Sequence, residues 1–151
     1  GKTISFDPNL RPVLWKSEAE MVEKLNRLAF QADWVLPGLK EGIILTGQNS
    51  PEGIADFYLE RGVKAVVIKT GPDGAWYKTA NGEQGAVAPV KVDNVVDTVG
   101  AGDGFAVGII SALLEGKTLQ QAVQRGNKIG SLAIQVLGDS EGLPTREELG
   151  E

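Results

Sequence analysis

Histidine and cysteine are both absent from the 151 residues. Without cysteine there is no disulfide framework, no thiolate nucleophile and no thiolate-ligated zinc. Without histidine there is no Ser-His-Asp triad, no Cys-His pair and no imidazole-ligated metal. Any acid–base work therefore falls to carboxylates or lysines, and any metal is expected to be a hard cation on oxygen ligands. The lack of cysteine fits a reducing compartment, so a cytoplasmic location is expected. No apolar run reaches the roughly 18 residues that a membrane-spanning helix needs. An excess of positive charge is missing too. The 20 Asp and Glu outnumber the 15 Lys and Arg, for a formal charge of −5. That argues against a nucleic-acid partner or a membrane surface, which call for a Lys/Arg patch. The chain opens Gly1-Lys2-Thr3-Ile4, with neither an initiator Met nor a signal-peptide pattern. A start inside a strand-like run is expected of a piece of something longer.

What is present is an ordinary globular balance, 42% hydrophobic and 23% charged. The apolar content is too high for disorder. The length suits one domain that buries roughly 70% of the surface of its unfolded chain. No repeat, low-complexity segment or linker stands out.

Thr3-Ile4-Ser5-Phe6 reads as a short strand ending in the polar turn Asp7-Pro8-Asn9. Ser17, with Glu20 three residues on, predicts a capping box. The helix it opens runs to about Ala32, with Met21, Leu25, Leu28 and Ala29 on one face. Trp34-Val35-Leu36 is a short buried strand stopped by Pro37-Gly38, and a brief helix covers Glu41 to Leu45. Ser50-Pro51 starts another helix, which ends at Gly62. Ala65-Val66-Val67-Ile68 is a strand of the kind buried on both faces. The Asn81-Gly82 turn predicts a hairpin between Ala75-Trp76-Tyr77-Lys78 and a strand from Gln84 to Val90. A helix follows Gly104 to about Glu115. It is apolar nearly all round and so expected to be buried. A last helix runs from about Leu119 to Leu137, stopped by Gly138 and followed by an acidic tail. Strands alternating with helices predict an α/β layered sheet, helices on both faces, with one hairpin.

Gly100-Ala101-Gly102-Asp103-Gly104 is the densest candidate for chemistry. Three alternate glycines let the backbone approach a ligand closely. They stand where a helix begins, and a helix N-terminus offers unpaired N–H groups and partial positive charge. Together these suit phosphate, with Asp103 at the mouth. The glycines alone fit equally well a tight turn that lets a helix pack closely, with Asp103 as an ordinary cap. Two other phosphate motifs fail. Phe105 occupies the third glycine position of a G-x-G-x-x-G fingerprint. Residues 111–118 imitate a Walker A loop, yet Ser111 replaces its first glycine and the segment ends a helix. Gly116-Lys117-Thr118 reads instead as a helix stop and the N-cap of the next helix.

The longer string Asp97-Thr98-Val99-Gly100-Ala101-Gly102-Asp103 resembles the D-T-x-G-A-G-D signature of the ribokinase-like (PfkB) carbohydrate kinases. Lys69-Thr70-Gly71-Pro72-Asp73-Gly74 resembles that family's K-x-G-x-x-G segment beside ATP. Glu41 resembles the Glu of its N-x-x-E motif, with Gly38 where the family has Asn. Asn127 matches a residue on the helix flanking the adenine pocket. The segment from Phe6 to Trp15 is similar to the 2-dehydro-3-deoxygluconate kinase and fructokinase branch, and the tail from Gly138 to Glu148 to the former.

The resemblance implies a ribokinase-like three-layer α/β/α fold with a mostly parallel sheet. It covers this whole chain but only about half of a family member. Residues 1–151 are thus expected to be the C-terminal, ATP-binding and catalytic half, with the N-terminal half and its lid as missing partner. It implies transfer of the ATP γ-phosphoryl to the terminal hydroxyl of a keto sugar acid, with Mg2+. The rivals are a fructokinase-type activity and a nucleotide-binding module without turnover. Asp103 would be the base and a substrate contact, and Gly100, Ala101 and Gly102 would hold the charge of the transferred group. Lys69, Gly71, Gly74 and Asn127 would serve the nucleotide. Glu41 would act indirectly on Mg2+. Arg11 is either a fork for the sugar-acid carboxylate or a solvated surface residue, and the resemblance favours the former. Asp97 and Val99 would lie by a K+ site; for Asp97 an ordinary turn is the equal alternative. Asp7 and Asn9 are either substrate neighbours or a turn. A homo-oligomer is a further expectation for the whole enzyme.

Overall fold

The computed structural model describes residues 1–150 of the chain. Five strands form one sheet in the order β1 (Ser5–Phe6), β2 (Trp34–Val35), β3 (Ala65–Lys69), β4 (Ala75–Thr79), β5 (Gln84–Val87). Strands β1, β2 and β3 run parallel, in the register Ser5–Trp34–Ala65 and Phe6–Val35–Val66. The helices are α1 (Glu18–Ala29), α2 (Leu39–Thr46), α3 (Pro51–Leu59), α4 (Ala101–Leu114), α5 (Leu119–Ala133) and α6 (Arg146–Leu149). This is the α/β fold expected. No helix among the described residues is long and apolar enough to cross a membrane.

The chain divides into two compact units. The first holds Gly1–Thr70 and Trp76–Gly85; the second holds Gly71–Ala75 and the chain from Ala86 on.

In the first unit β3 is buried along Ala65, Val66, Val67 and Ile68, as its unbroken apolar run requires. Its core adds Val35, Ile54, Ala55, Tyr58 and Val63, with Phe6, Phe30 and Phe57 at the margin. Ser17 caps α1 by accepting from the Glu20 N–H at 3.1 Å. The expected capping box is only half made, because the Glu20 side chain pairs with Lys24 at 2.9 Å instead of reaching back. α1 stops at Ala29, because Gln31 and Ala32 donate three residues back and tighten the last turn. Leu28, expected on the inner face, is exposed. Asn26 takes the buried place, donating to Leu45 O at 2.7 Å and accepting from the Tyr58 hydroxyl at 3.0 Å. An apolar stripe read by period alone misses a polar residue whose partners are 19 and 32 residues away.

In the second unit α4 lies along α5 at close range. A Cβ on Gly108 would meet Gly126 Cα at 2.6 Å, and one on Gly126 would meet Phe105 at 3.0 Å. The buried face of α4 is therefore narrow, being Gly104, Phe105, Gly108, Ile109 and Ala112. The expectation that α4 is buried all round fails in this chain, since Val107 is 51% and Leu114 75% exposed. α5 ends at Ala133, earlier than expected, because the next carbonyl, Ile134 O, accepts from Val96 and Asp97 N–H. β5 stops at Val87 instead of Val90, where Asn127 takes the Val87 and Ala88 carbonyls and Pro89 offers no N–H. The tail forms an unexpected short helix, α6, capped by Thr145 and Glu148.

Candidate active site

Four of the helices open on a hydroxyl. Ser17, Ser50, Thr118 and Thr145 each accept from the N–H three residues on, the usual way to satisfy one orphan donor. α2 opens on Gly38, but Glu41 reaches back and accepts from the Gly38 N–H at 2.9 Å. α4 has neither device. Its N-cap is Gly100 at φ +78, with no side-chain cap. The Ala101 N–H meets Thr98 O only at 3.4 Å, and the Gly104 N–H closes the first helical bond to Gly100 O at 2.8 Å. The helix begins at Ala101 and runs for fourteen residues, and its positive end has no side-chain cap. Asp103 is exposed there, and Ala101 and Gly102 are half-buried.

Gly100 is dictated twice. Its φ belongs to the left-handed region, and a Cβ would meet Asp139 O at 2.1 Å. The tail thus lies directly against the turn. Gly138 N–H donates to Asp97 Oδ2 at 3.4 Å, and Asp97 Oδ1 accepts from Val99 N–H at 3.0 Å. That is the turn reading of Asp97. Each Asp97 carboxylate oxygen thus accepts one main-chain N–H, and the Val99 side chain is exposed.

Gly74 and Asn127 converge on one segment. A Cβ on Gly74, at φ +92, would meet Val87 O at 2.1 Å. Asn127 Nδ2 donates to Val87 O at 3.3 Å and to Ala88 O at 2.9 Å. The Asn127 amide oxygen remains as an acceptor. Gly71, at φ +63, lies in an exposed turn with open space where a Cβ would stand.

In the first unit, Asp7 and Lys69 follow or end parallel strands at their C-terminal ends, where ligands of α/β sheets gather. Lys69 Nζ pairs with Asp7 Oδ2 at 2.6 Å. Glu41 accepts from Leu10 N–H at 2.8 Å through its second oxygen. Arg11 is exposed and donates to Leu10 O at 3.0 Å. Among the described residues no group of three or more acidic side chains could cage a metal.

Sequence reasoning missed a charged cluster in the second unit. Arg125, 6% exposed, donates to Ser111 Oγ at 3.1 Å and to Glu115 Oε2 at 2.7 Å. Arg146 of the tail holds the other Glu115 oxygen at 2.6 Å. The Arg125 hydrogen bond holds the Glu115 carboxyl below its usual value, against the opposing effect of burial and with help from the Arg146 charge. No local pattern announces it, since its members lie 10 and 31 residues apart.

The chain is 58% identical over 149 residues to 2-dehydro-3-deoxygluconokinase of Bacillus subtilis (strain 168), covering 99% of this chain and 46% of that protein. A fructokinase double mutant from Vibrio cholerae O395, in its fructose-, ADP- and potassium-bound form, superposes with a TM-score of 0.91 at 31% identity. That match covers 99% of this chain and 50% of the other. A putative ribokinase II from E. coli, in complex with ATP and Mg2+, superposes with a TM-score of 0.89 at 35% identity, covering 99% and 48%. The chain thus spans about half the length of the relatives it matches. The family described as pfkB family carbohydrate kinase matches residues 1–146, through the uncapped turn and into the tail that packs on it, and the chain belongs to that family.

Proposed function

We infer that the chain is the C-terminal, ATP-binding and catalytic half of a kinase that phosphorylates the terminal hydroxyl of a keto sugar acid, 2-dehydro-3-deoxygluconate. The observation that carries this is the N-terminus of α4, left without a side-chain cap beside an exposed Asp103. The 58% identity to a 2-dehydro-3-deoxygluconokinase supports the substrate, and the 46% coverage supports a half. Dependence on ATP and a lack of cysteine fit the cytoplasm.

Phosphoryl transfer asks for positioning, charge neutralisation and an acceptor for one proton, none of which needs His or Cys. Asp103 would take the proton of the attacking hydroxyl as that oxygen bonds to the γ-phosphorus and the bond to the bridging oxygen breaks. A weak base suffices where the proton leaves late, as in a loose transition state. The N–H groups of residues 100–103 would face the charge on the transferred group. Mg2+, when bound, would neutralise the β- and γ-phosphate oxygens. Gly71, Gly74 and Asn127 would serve the base and ribose end of the nucleotide, Gly74 by keeping the segment at Val87 close. Arg11 would pair with the sugar-acid carboxylate. Carbonyls near Asp97 and Val99 would take K+, an ion present in the fructokinase structure.

An assay of the whole protein with ATP and Mg2+ against a sugar panel tests the reading. ADP release is expected with 2-dehydro-3-deoxygluconate, at a kcat/KM on the order of ten- to a hundred-fold above that for fructose or ribose. Preference for a neutral sugar would overturn the substrate. Nucleotide binding without sugar-dependent ADP release would overturn the kinase reading in favour of a binding module.

A further inference from the structure

A closed ring of contacts in the first unit holds the segment that carries Arg11. Lys69, ending β3, grips Asp7 through its side chain at 2.6 Å. Its backbone N–H donates to Pro37 O at 2.9 Å, and it bridges to Gly38. Gly38 N–H donates to one oxygen of Glu41, and Leu10 N–H, 31 residues away in sequence, donates to the other. The segment is thus pinned at Asp7 and again at Leu10. Between the pins Pro8 is buried, and Asn9 holds φ +44, the one positive φ outside glycine among the described residues. Such a conformation persists where its surroundings enforce it. Arg11 follows the second pin directly and turns one guanidinium nitrogen onto Leu10 O.

We propose that Glu41 is a positioning residue for the acid end of the substrate, fixing the backbone at Leu10 so that Arg11 is presented in one register. This rests on the reading that Arg11 meets a sugar-acid carboxylate. The family resemblance ties Glu41 to magnesium; the contacts of this chain give each of its oxygens to a main-chain N–H. A carboxylate suits that task, because it is acceptor-only and its hydrogen bonds are charge-assisted. A Gln side chain has one acceptor oxygen and would turn an NH2 toward one of the two N–H groups. The same residue thereby completes the opening of α2 and the entrance of the Arg11 segment.

The test is Glu41→Gln in the whole protein, read by kinetics and by the Leu10 amide. The KM for 2-dehydro-3-deoxygluconate is expected to rise roughly tenfold, the worth of a charged hydrogen bond, a larger change than that in the KM for ATP. The Leu10 amide proton is expected to move upfield and to lose protection from exchange. Asp7→Asn, which weakens the other pin, should shift the same KM in the same direction. A changed Mg2+ dependence with an unchanged sugar-acid KM would overturn the proposal, as would a Leu10 amide that does not move. If wild-type protein shows no preference for the sugar acid, the functional reading fails by itself. The Leu10 amide then decides the clamp, movement supporting it and constancy overturning it.

Discussion

Two consecutive helices of the second unit begin in opposite ways. At α5, Thr118 Oγ1 accepts from Gln121 N–H at 3.2 Å, and Gln121 Oε1 accepts from Thr118 N–H at 3.0 Å. Two orphan donors are satisfied reciprocally by the chain itself. At α4 the cap position is a glycine with no side chain to give. The helices lie in close contact, so neither differs for want of packing. At α5 the N–H groups finish a fold; on the proposed reading those of α4 are kept for an anion. α2 makes the contrast sharper, because it too has a glycine at its N-cap and yet is closed by Glu41. A glycine before a helix is therefore no sign of a site until the residue three positions on is known. In α2 that residue is a Glu that reaches back; in α4 it is Asp103, whose shorter side chain stays exposed.

Substitutions at the two helix ends should separate function from stability. The largest effect is expected from Asp103→Asn in the whole enzyme. It keeps the shape and removes the proton acceptor, so kcat should fall by about 10²–10⁴, with ATP affinity near normal. Steady-state kinetics and a nucleotide-binding isotherm check it. Retained kcat with lost ATP binding would place Asp103 on the nucleotide or its metal instead. Thr118→Ala should do the reverse. Loss of a hydroxyl cap destabilises by about 1 kcal/mol, read as a lower urea midpoint, while nucleotide affinity stays the same. A fall in ATP affinity on capping loss at α5 would erase the contrast between the two helix ends.

The smallest effect concerns Glu115, between Arg125 and the tail. Its carboxyl is held low in the fold, so the stability it adds is present above its unfolded value and is lost as pH falls through its folded one. The urea midpoint should therefore drop on going from about pH 6 to about pH 3, and drop less steeply in Glu115→Gln. Equal slopes would mean that the cluster contributes nothing to holding the fold.

Much of the fold was legible because it is written locally. The apolar run at Ala65 to Ile68, the caps at Ser17, Ser50 and Thr118, and the stop at Gly116 all act within a few residues, and each stands where the pattern put it. The turn at residues 100–104 was legible for the same reason. What stayed hidden acts at a distance. Asn26 is buried because of Leu45 and Tyr58, α5 is cut short by Val96 and Asp97, and Gly100 must be glycine partly because Asp139 lies on it. The tail was singled out by resemblance alone, and its contact with the turn at Gly100 gives a physical reason for that segment. Glu41 shows the limit most clearly. It was read as the first residue of a brief helix and as the Glu of a family motif, whereas its bond to Leu10 has no signature in a single sequence.

The most direct measurement is an amide chemical-shift titration of the whole protein with Mg2+ and ADP or ATP. Shifts should concentrate on the amides of residues 100–103 and spare those of residues 118–121, although both sets open helices of the same pair. Shifts centred on residues 116–121, with residues 100–103 unmoved, would contradict the assignment of the phosphate site to α4 and move it to the glycine-lysine turn before α5.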